Sequence, residues 1–243
     1  MATFVLVHGA WHGGWSWQRV TPHLRAAGHE VFTPTLTGLG ERVHLATPSV
    51  NLATHVSDVV NVCRFEDLSN IVLVGHSYAG LVISGVADQI ADRIAHMVYL
   101  DAFVPRPGES LFSLVGPEGA EAMRGLAQQH GDGWLVPPVI QILNITEPED
   151  VAWLSAKLTP QPIATLEDGA DYSTPLDSQA FNRTYVLATE PANPACLAAC
   201  ATVEGHPGWQ VHRIATGHDL MVTRPSDVAD VLLNIGVEQH RAV

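Results

Sequence analysis

Short apolar runs alternate along the chain with longer stretches in which apolar residues return every third or fourth position. The runs Thr3 to Val7, Glu30 to Thr33, Ile71 to Val74, Ala95 to Leu100, Thr184 to Ala188 and Trp209 to Ile214 predict strands. Near-continuous apolarity in such runs is the signature of a parallel sheet covered on both faces. Between the second and third runs, Leu52, Val56, Val59, Val60 and Cys63 recur at spacings near ~3.6, which predicts an amphipathic helix. Val228, Val231, Leu232 and Ile235 repeat the pattern near the C-terminus, where Pro225 suits the first turn of a helix. The result is an α/β architecture, a mostly parallel sheet of about six strands flanked by helices.

The rhythm breaks between roughly Phe103 and Phe181 into Pro- and Gly-rich pieces, among them Pro105-Arg106-Pro107-Gly108, Trp134-Leu135-Val136-Pro137-Pro138 and Leu158-Thr159-Pro160-Gln161-Pro162. An insertion between two core strands lies over the strand ends, where open α/β sheets bind ligands. Residues 1–102 and 182–243 are therefore expected to form one core domain, and residues 103–181 a cap, or lid.

The length of 243 residues suits one such domain with its insertion. A net charge of −13 with only 12 Lys+Arg, and no basic run, excludes nucleic acid and anionic membrane as expected partners. Three scattered cysteines, Cys63, Cys196 and Cys200, make no disulfide framework. With no basic leader before Phe4-Val5-Leu6-Val7, they point to a reducing, cytoplasmic setting.

Chemistry enters at Gly75-His76-Ser77-Tyr78-Ala79-Gly80, which follows the third predicted strand and opens a helical pattern. A serine at that sharp turn is presented above the strand ends, and small residues flank it because strand and helix backbones nearly touch. The usual form is Gly-x-Ser-x-Gly, so Ala79 is a one-methyl departure. A serine nucleophile needs a histidine base, a carboxylate to orient it and donors for the oxyanion. Of thirteen histidines, His218 in Ala215-Thr216-Gly217-His218-Asp219 follows the last core strand, where chain order places the base. For the acid, Glu190 beyond the strand Thr184 to Ala188 is preferred, and Asp101 at the end of the preceding strand is the rival. The oxyanion donors expected are the backbone N–H groups of Ala10, in the Gly-rich loop after the first strand, and Tyr78. His8 and His12 flank part of that loop, but no third ligand accompanies them, and no metal or other cofactor is expected.

With Val5-Leu6-Val7-His8-Gly9-Ala10-Trp11-His12-Gly13-Gly14-Trp15-Ser16-Trp17, Gly75-His76-Ser77 and Gly217-His218-Asp219 in view, the chain resembles the plant methylesterase and hydroxynitrile lyase family, and its bacterial carboxylesterase relatives, within the α/β-hydrolase superfamily. The resemblance extends through Leu36-Thr37-Gly38-Leu39-Gly40-Glu41-Arg42 and Leu158-Thr159-Pro160. It implies an α/β-hydrolase fold and a cofactor-free serine esterase for small, often aromatic, esters, with Ser77 and His218 as nucleophile and base. The family's acid is typically an aspartate after the strand that precedes Glu190 here. Cyanohydrin-cleaving members carry threonine or asparagine where this chain has Gly9, and some have lysine where it has Asp219, whose charge would oppose cyanide. The expected activity is thus hydrolysis of small to medium apolar or aromatic esters through an acyl-enzyme. A hydroxynitrile lyase and a non-catalytic small-ligand receptor are the alternatives. Trp134 and Trp153 in the cap are candidate substrate contacts. The expected partner is a small-molecule ester, and a homodimer is left open.

Overall fold

In a computed structural model, the backbone is described for residues 1–241 and side-chain surroundings for residues 1–236. Six strands, β1 (Thr3–Val7), β2 (Glu30–Phe32), β3 (Ile71–His76), β4 (Ile94–Leu100), β7 (Asn182–Ala188) and β8 (Trp209–Ile214), form one parallel sheet ordered β2-β1-β3-β4-β7-β8. The remaining pair, β5 (Leu135–Val136) and β6 (Gln161–Pro162), is an antiparallel ribbon. The chain leaves β1 toward one edge and returns to β3 on its other side, so the strand order reverses between β1 and β3. The carboxyl ends of strands at such a switch point are where open α/β sheets take ligands.

The near-continuous apolar runs have a direct structural cause. Phe4 and Leu6 of β1, Val72 and Val74 of β3, and Val98 and Leu100 of β4 enter one core cluster. Val5, Val7, Ile71, Leu73, Met97 and Tyr99 alternate into the other, on the opposite sheet face. The predicted helix is Leu52–Phe65, with Leu52, Val56, Val59, Val60 and Cys63 all buried, and it starts in a capping box between Asn51 and Thr54. The C-terminal helix is Pro225–Arg241, and Val228, Leu232 and Ile235 are buried beneath it.

Residues between β4 and β7 carry the long helix Leu111–His130, the β5–β6 ribbon and several short helices. The long helix is broken at Gly116, whose φ of 80° precedes Pro117. No helix among the described residues is long and apolar enough to cross a membrane.

Four buried histidines are held as neutral rings. His8 accepts the Leu36 N–H and lies against the Gly9 carbonyl. His55 bonds the Tyr78 hydroxyl and the Thr37 carbonyl, His76 the His218 carbonyl, and His96 the Thr184 hydroxyl. Burial pushes His8 and His76 down to about 3, and His55 and His96 down to about 4, from the ordinary 6.5.

A close backbone approach lies between the helix Ala79–Ile90 and the segment leaving β4. A Cβ on Gly80 would fall 1.8 Å from the Phe103 carbonyl oxygen. Gly80→Ala is expected to destabilise the fold by at least the ~1–3 kcal/mol of an overpacked core, read as a lowered Tm. The histidines set a second expectation. Between pH 6.5 and about 4 the unfolded chain binds protons that these four folded rings refuse, so stability falls as pH falls. The slope should approach ~4 protons per molecule near pH 5, measurable as the pH dependence of the urea-unfolding free energy.

Candidate active site

The loop after β1, the turn after β3, the residue after β4 and the loop after β8 converge at the carboxyl end of the sheet. Ser77 sits on the β3-to-helix turn with φ of 54°, a left-handed conformation uncommon for a residue with a side chain. Its N–H donates to the Leu100 carbonyl, and its carbonyl accepts from Gly80 and Phe103. These bonds fix the strained turn. The intolerance of a side chain falls on Gly75, where a Cβ would meet the Ala79 carbonyl at 2.9 Å, and on Gly80, while Ala79 itself is accommodated as the first residue of the helix.

Ser77 Oγ donates to His218 Nε2 at 2.8 Å, and His218 Nδ1–H donates to Asp101 Oδ2 at 2.6 Å. In this tautomer Nε2 is free to accept the serine proton. Asp101 is wholly buried, with φ of 43°, and its other oxygen accepts the Ala188 N–H at 3.0 Å. The structure thus corrects the preferred acid. Glu190 lies in an exposed turn whose N–H is tied to the Thr216 carbonyl, and it is the rival Asp101 that meets His218. The physical reason is lateral: β4 lies next to β3 in the sheet, so a short side chain leaving β4 reaches His218 without crossing a loop. The signal in the sequence was a carboxylate placed directly after a predominantly apolar strand.

Ala10 and Tyr78 flank the serine, and among the described residues neither amide donates to another protein group. The next residue, Trp11, has φ of 66° and is clamped by the inserted segment. Its N–H donates to Gln161 Oε1, its indole N–H to the Val136 carbonyl, and its carbonyl accepts from Thr159 N–H. The insertion also grips the His218 loop, since the Leu143 carbonyl accepts the His218 N–H. A cavity of about 70 Å³ opens on Ser77, His218 and Ala10, walled by Trp11, Phe103, Leu111, Met123 and Leu166 among others. Neither Trp134 nor Trp153 lines it. Trp153 packs edge-on against Trp15 with Lys157 and Arg19 over its ring, and the Trp134 carbonyl anchors Ile163 N–H. Trp11, the indole that does line it, was visible only as part of the Gly-rich loop. A larger cleft of about 490 Å³ adjoins this cavity, sharing Phe103 and Ala195 with it.

Beneath the site lies a buried charged group. His12 Nε2–H donates to Asp219 Oδ2 at 3.0 Å, and Nδ1–H donates to the Ala10 carbonyl at 2.7 Å. Burial alone lowers the His12 pKa, but the Asp219 carboxylate overrides it and raises the value above normal. Burial likewise opposes ionisation of Asp219, yet His12 draws its pKa below normal. Asp219 does not face the cavity, and its charge is balanced internally. The sequence-based argument that this charge would repel cyanide therefore has no geometric basis. With His12 on Asp219 and His8 on Leu36, neither ring is arranged as a metal ligand. Asp101, Cys196 and His218 do bring O, S and N atoms within 4.8 Å of one another, but the oxygen and nitrogen are already bonded to each other. The Cys196 thiol donates to the Asp101 carbonyl oxygen and is kept protonated by burial, which raises its pKa.

The chain is similar to known proteins along most of its length. Over 97% of its length, the chain is 41% identical to a carbendazim hydrolyzing esterase of Nocardioides sp. (strain SG-4G), all of which is covered. It is 29% identical to salicylic acid-binding protein 2 of Nicotiana tabacum, over 77% of this chain and 78% of that one. An extracellular alpha/beta-hydrolase from a Paenibacillus species superposes with a TM-score of 0.83 at 24% identity, covering 96% of this chain and 98% of its own, which shows the shared fold. Residues 4–231 match the alpha/beta hydrolase family along nearly the whole described chain, and with a serine on the strand-to-helix turn of a six-stranded parallel sheet, the chain belongs to that family.

Proposed function

We propose that this chain, an ester hydrolase like the relatives it matches along its length, works through Ser77, His218 and Asp101. The observation that carries the reading is the single imidazole held at 2.8 Å from the serine hydroxyl and 2.6 Å from a buried carboxylate. Ser77 Oγ attacks the ester carbonyl while its proton passes to His218 Nε2. Asp101 stabilises the imidazolium and keeps the ring in its tautomer. The negative oxygen of the tetrahedral intermediate is held by the Ala10 and Tyr78 amides, preset donors that cost no reorganisation during the reaction. His218 then returns the proton to the departing alkoxide. Water, deprotonated by the same ring, cleaves the acyl-enzyme to the acid and restores Ser77.

The apolar cavity supports small apolar or aromatic groups next to the scissile bond, and the adjoining cleft provides room for larger ones. Carbendazim, the substrate named for the 41% identical relative, is the first candidate to test. The lyase alternative finds no support at position 9, where a Cβ would lie 2.8 Å from His76 Nδ1 and 3.0 Å from Ser77 Cβ. The intact serine–histidine–aspartate arrangement argues for turnover over a receptor. The free, buried cysteines fit a reducing compartment such as the cytoplasm.

Hydrolysis of p-nitrophenyl esters and carbendazim, assayed side by side, tests the assignment. Ser77→Ala should lose at least about a thousandfold in kcat and Asp101→Asn roughly a hundredfold or more, with Glu190→Ala within about twofold of wild type. Equal losses at Asp101 and Glu190 would refute the choice of acid. Phe103→Ala, which removes the side chain shared by cavity and cleft, should raise kcat/KM for bulky aryl esters relative to p-nitrophenyl acetate. A constant ratio would show that the cleft takes no part in substrate selection.

A further inference from the structure

The geometry beneath the active site points to a positioning role for His12 and Asp219: we propose that this buried ion pair aligns the oxyanion donor of Ala10 with the loop that carries the base. Both ring nitrogens of His12 face groups that accept, the Ala10 carbonyl at 2.7 Å and the Asp219 carboxylate at 3.0 Å. Only a doubly protonated ring satisfies both. The pair is 1% and 0% exposed, so neither partner is screened by water, and each is costly to leave alone.

Its two ends lie in the two loops that must be in register. The Ala10 carbonyl and N–H belong to adjacent peptide units, so fixing one limits the swing of the other. Asp219 follows His218 directly, and His76 joins the same group, with Nε2 donating to the His218 carbonyl at 2.9 Å and lying 3.7 Å from Asp219 Oδ1. The rings pack in sequence: Trp15 stacks on His12 at 5.6 Å, and His76 meets His12 edge-on at 6.0 Å and lies tilted against His218 at 4.8 Å. His76 is kept neutral first by burial and next by His218, which leaves His12 as the cation facing Asp219. Neither His12 nor Asp219 lines the cavity, so neither touches substrate. The inference rests on the assignment of Ala10 to the oxyanion.

Two measurements test it, and neither requires ester turnover. The first is the rate at which a fluorophosphonate modifies Ser77, a step in which Oγ bonds to phosphorus, fluoride leaves and the serine proton passes to His218. In Asp219→Asn and His12→Gln, with folding checked by circular dichroism, the maximal rate should fall by about ten- to a hundredfold, because a displaced oxyanion donor weakens the transition state. Reagent affinity should stay within about threefold, and the double variant should be no slower than the worse single one. Unchanged rates, losses carried by affinity, or multiplying losses would overturn the proposal. The second uses the wild type alone: the ring ¹⁵N shifts of His12 at pH 7 should report protons on both nitrogens, and a neutral ring would overturn it even if the variants fail to fold. A wild type that reacts with fluorophosphonate but hydrolyses no ester would refute the esterase reading while leaving this test intact.

Discussion

Everything at the site depends on how closely β3 and the helix that follows it approach the chain leaving β4. Backbone contacts at Gly75 and Gly80 leave no room for a side chain, and the Ser77 peptide is held between the Leu100 carbonyl on one side and the Phe103 and Gly80 amides on the other. These bonds pin a serine at φ 54°. The strain is maintained by a fully buried strand and by a helix buried from Ala79 to Ala87, which have no slack to release it. The hydroxyl therefore stands above the strand ends, and Tyr78 N–H, next in the chain, is left without a protein acceptor among the described residues.

The insertion between β4 and β7 acts on the same site from the opposite side. Its ribbon receives both donors of Trp11, and its Leu143 carbonyl receives the His218 amide. One segment thereby holds the Ala10–Trp11 loop and the His218 loop, while Leu111, Met123 and Leu166 close the cavity. The walls of the cavity and the positions of Trp11 and His218 thus share one supporting segment.

Charge is distributed with the same economy. His8, His55, His76 and His96 are buried as neutral hydrogen-bonding rings, each lowered chiefly by desolvation. The chain carries a strong negative excess overall, yet at the site two carboxylates, Asp101 and Asp219, are each matched to one histidine. One pair contains the imidazole that reaches the Ser77 hydroxyl. The other is balanced and faces away from the cavity.

The sequence by itself determined the sheet, the helices on its faces and the position of the serine, because burial on both faces and the elbow's crowding are local constraints written in consecutive residues. The places of Ala10, Tyr78 and His218 beside that serine were legible for the same reason, each following a strand that the apolar pattern marks. What only the tertiary structure decided is lateral. Whether Asp101 or Glu190 meets His218 depends on which strand lies beside β3, and no spacing along the chain encodes that neighbour. The same holds for Trp11 rather than Trp134 or Trp153 at the cavity wall, and for the bond between His12 and Asp219, 207 positions apart. A side chain's role at the ends of parallel strands is set by distances across the sheet, and these exist only once the sheet has formed.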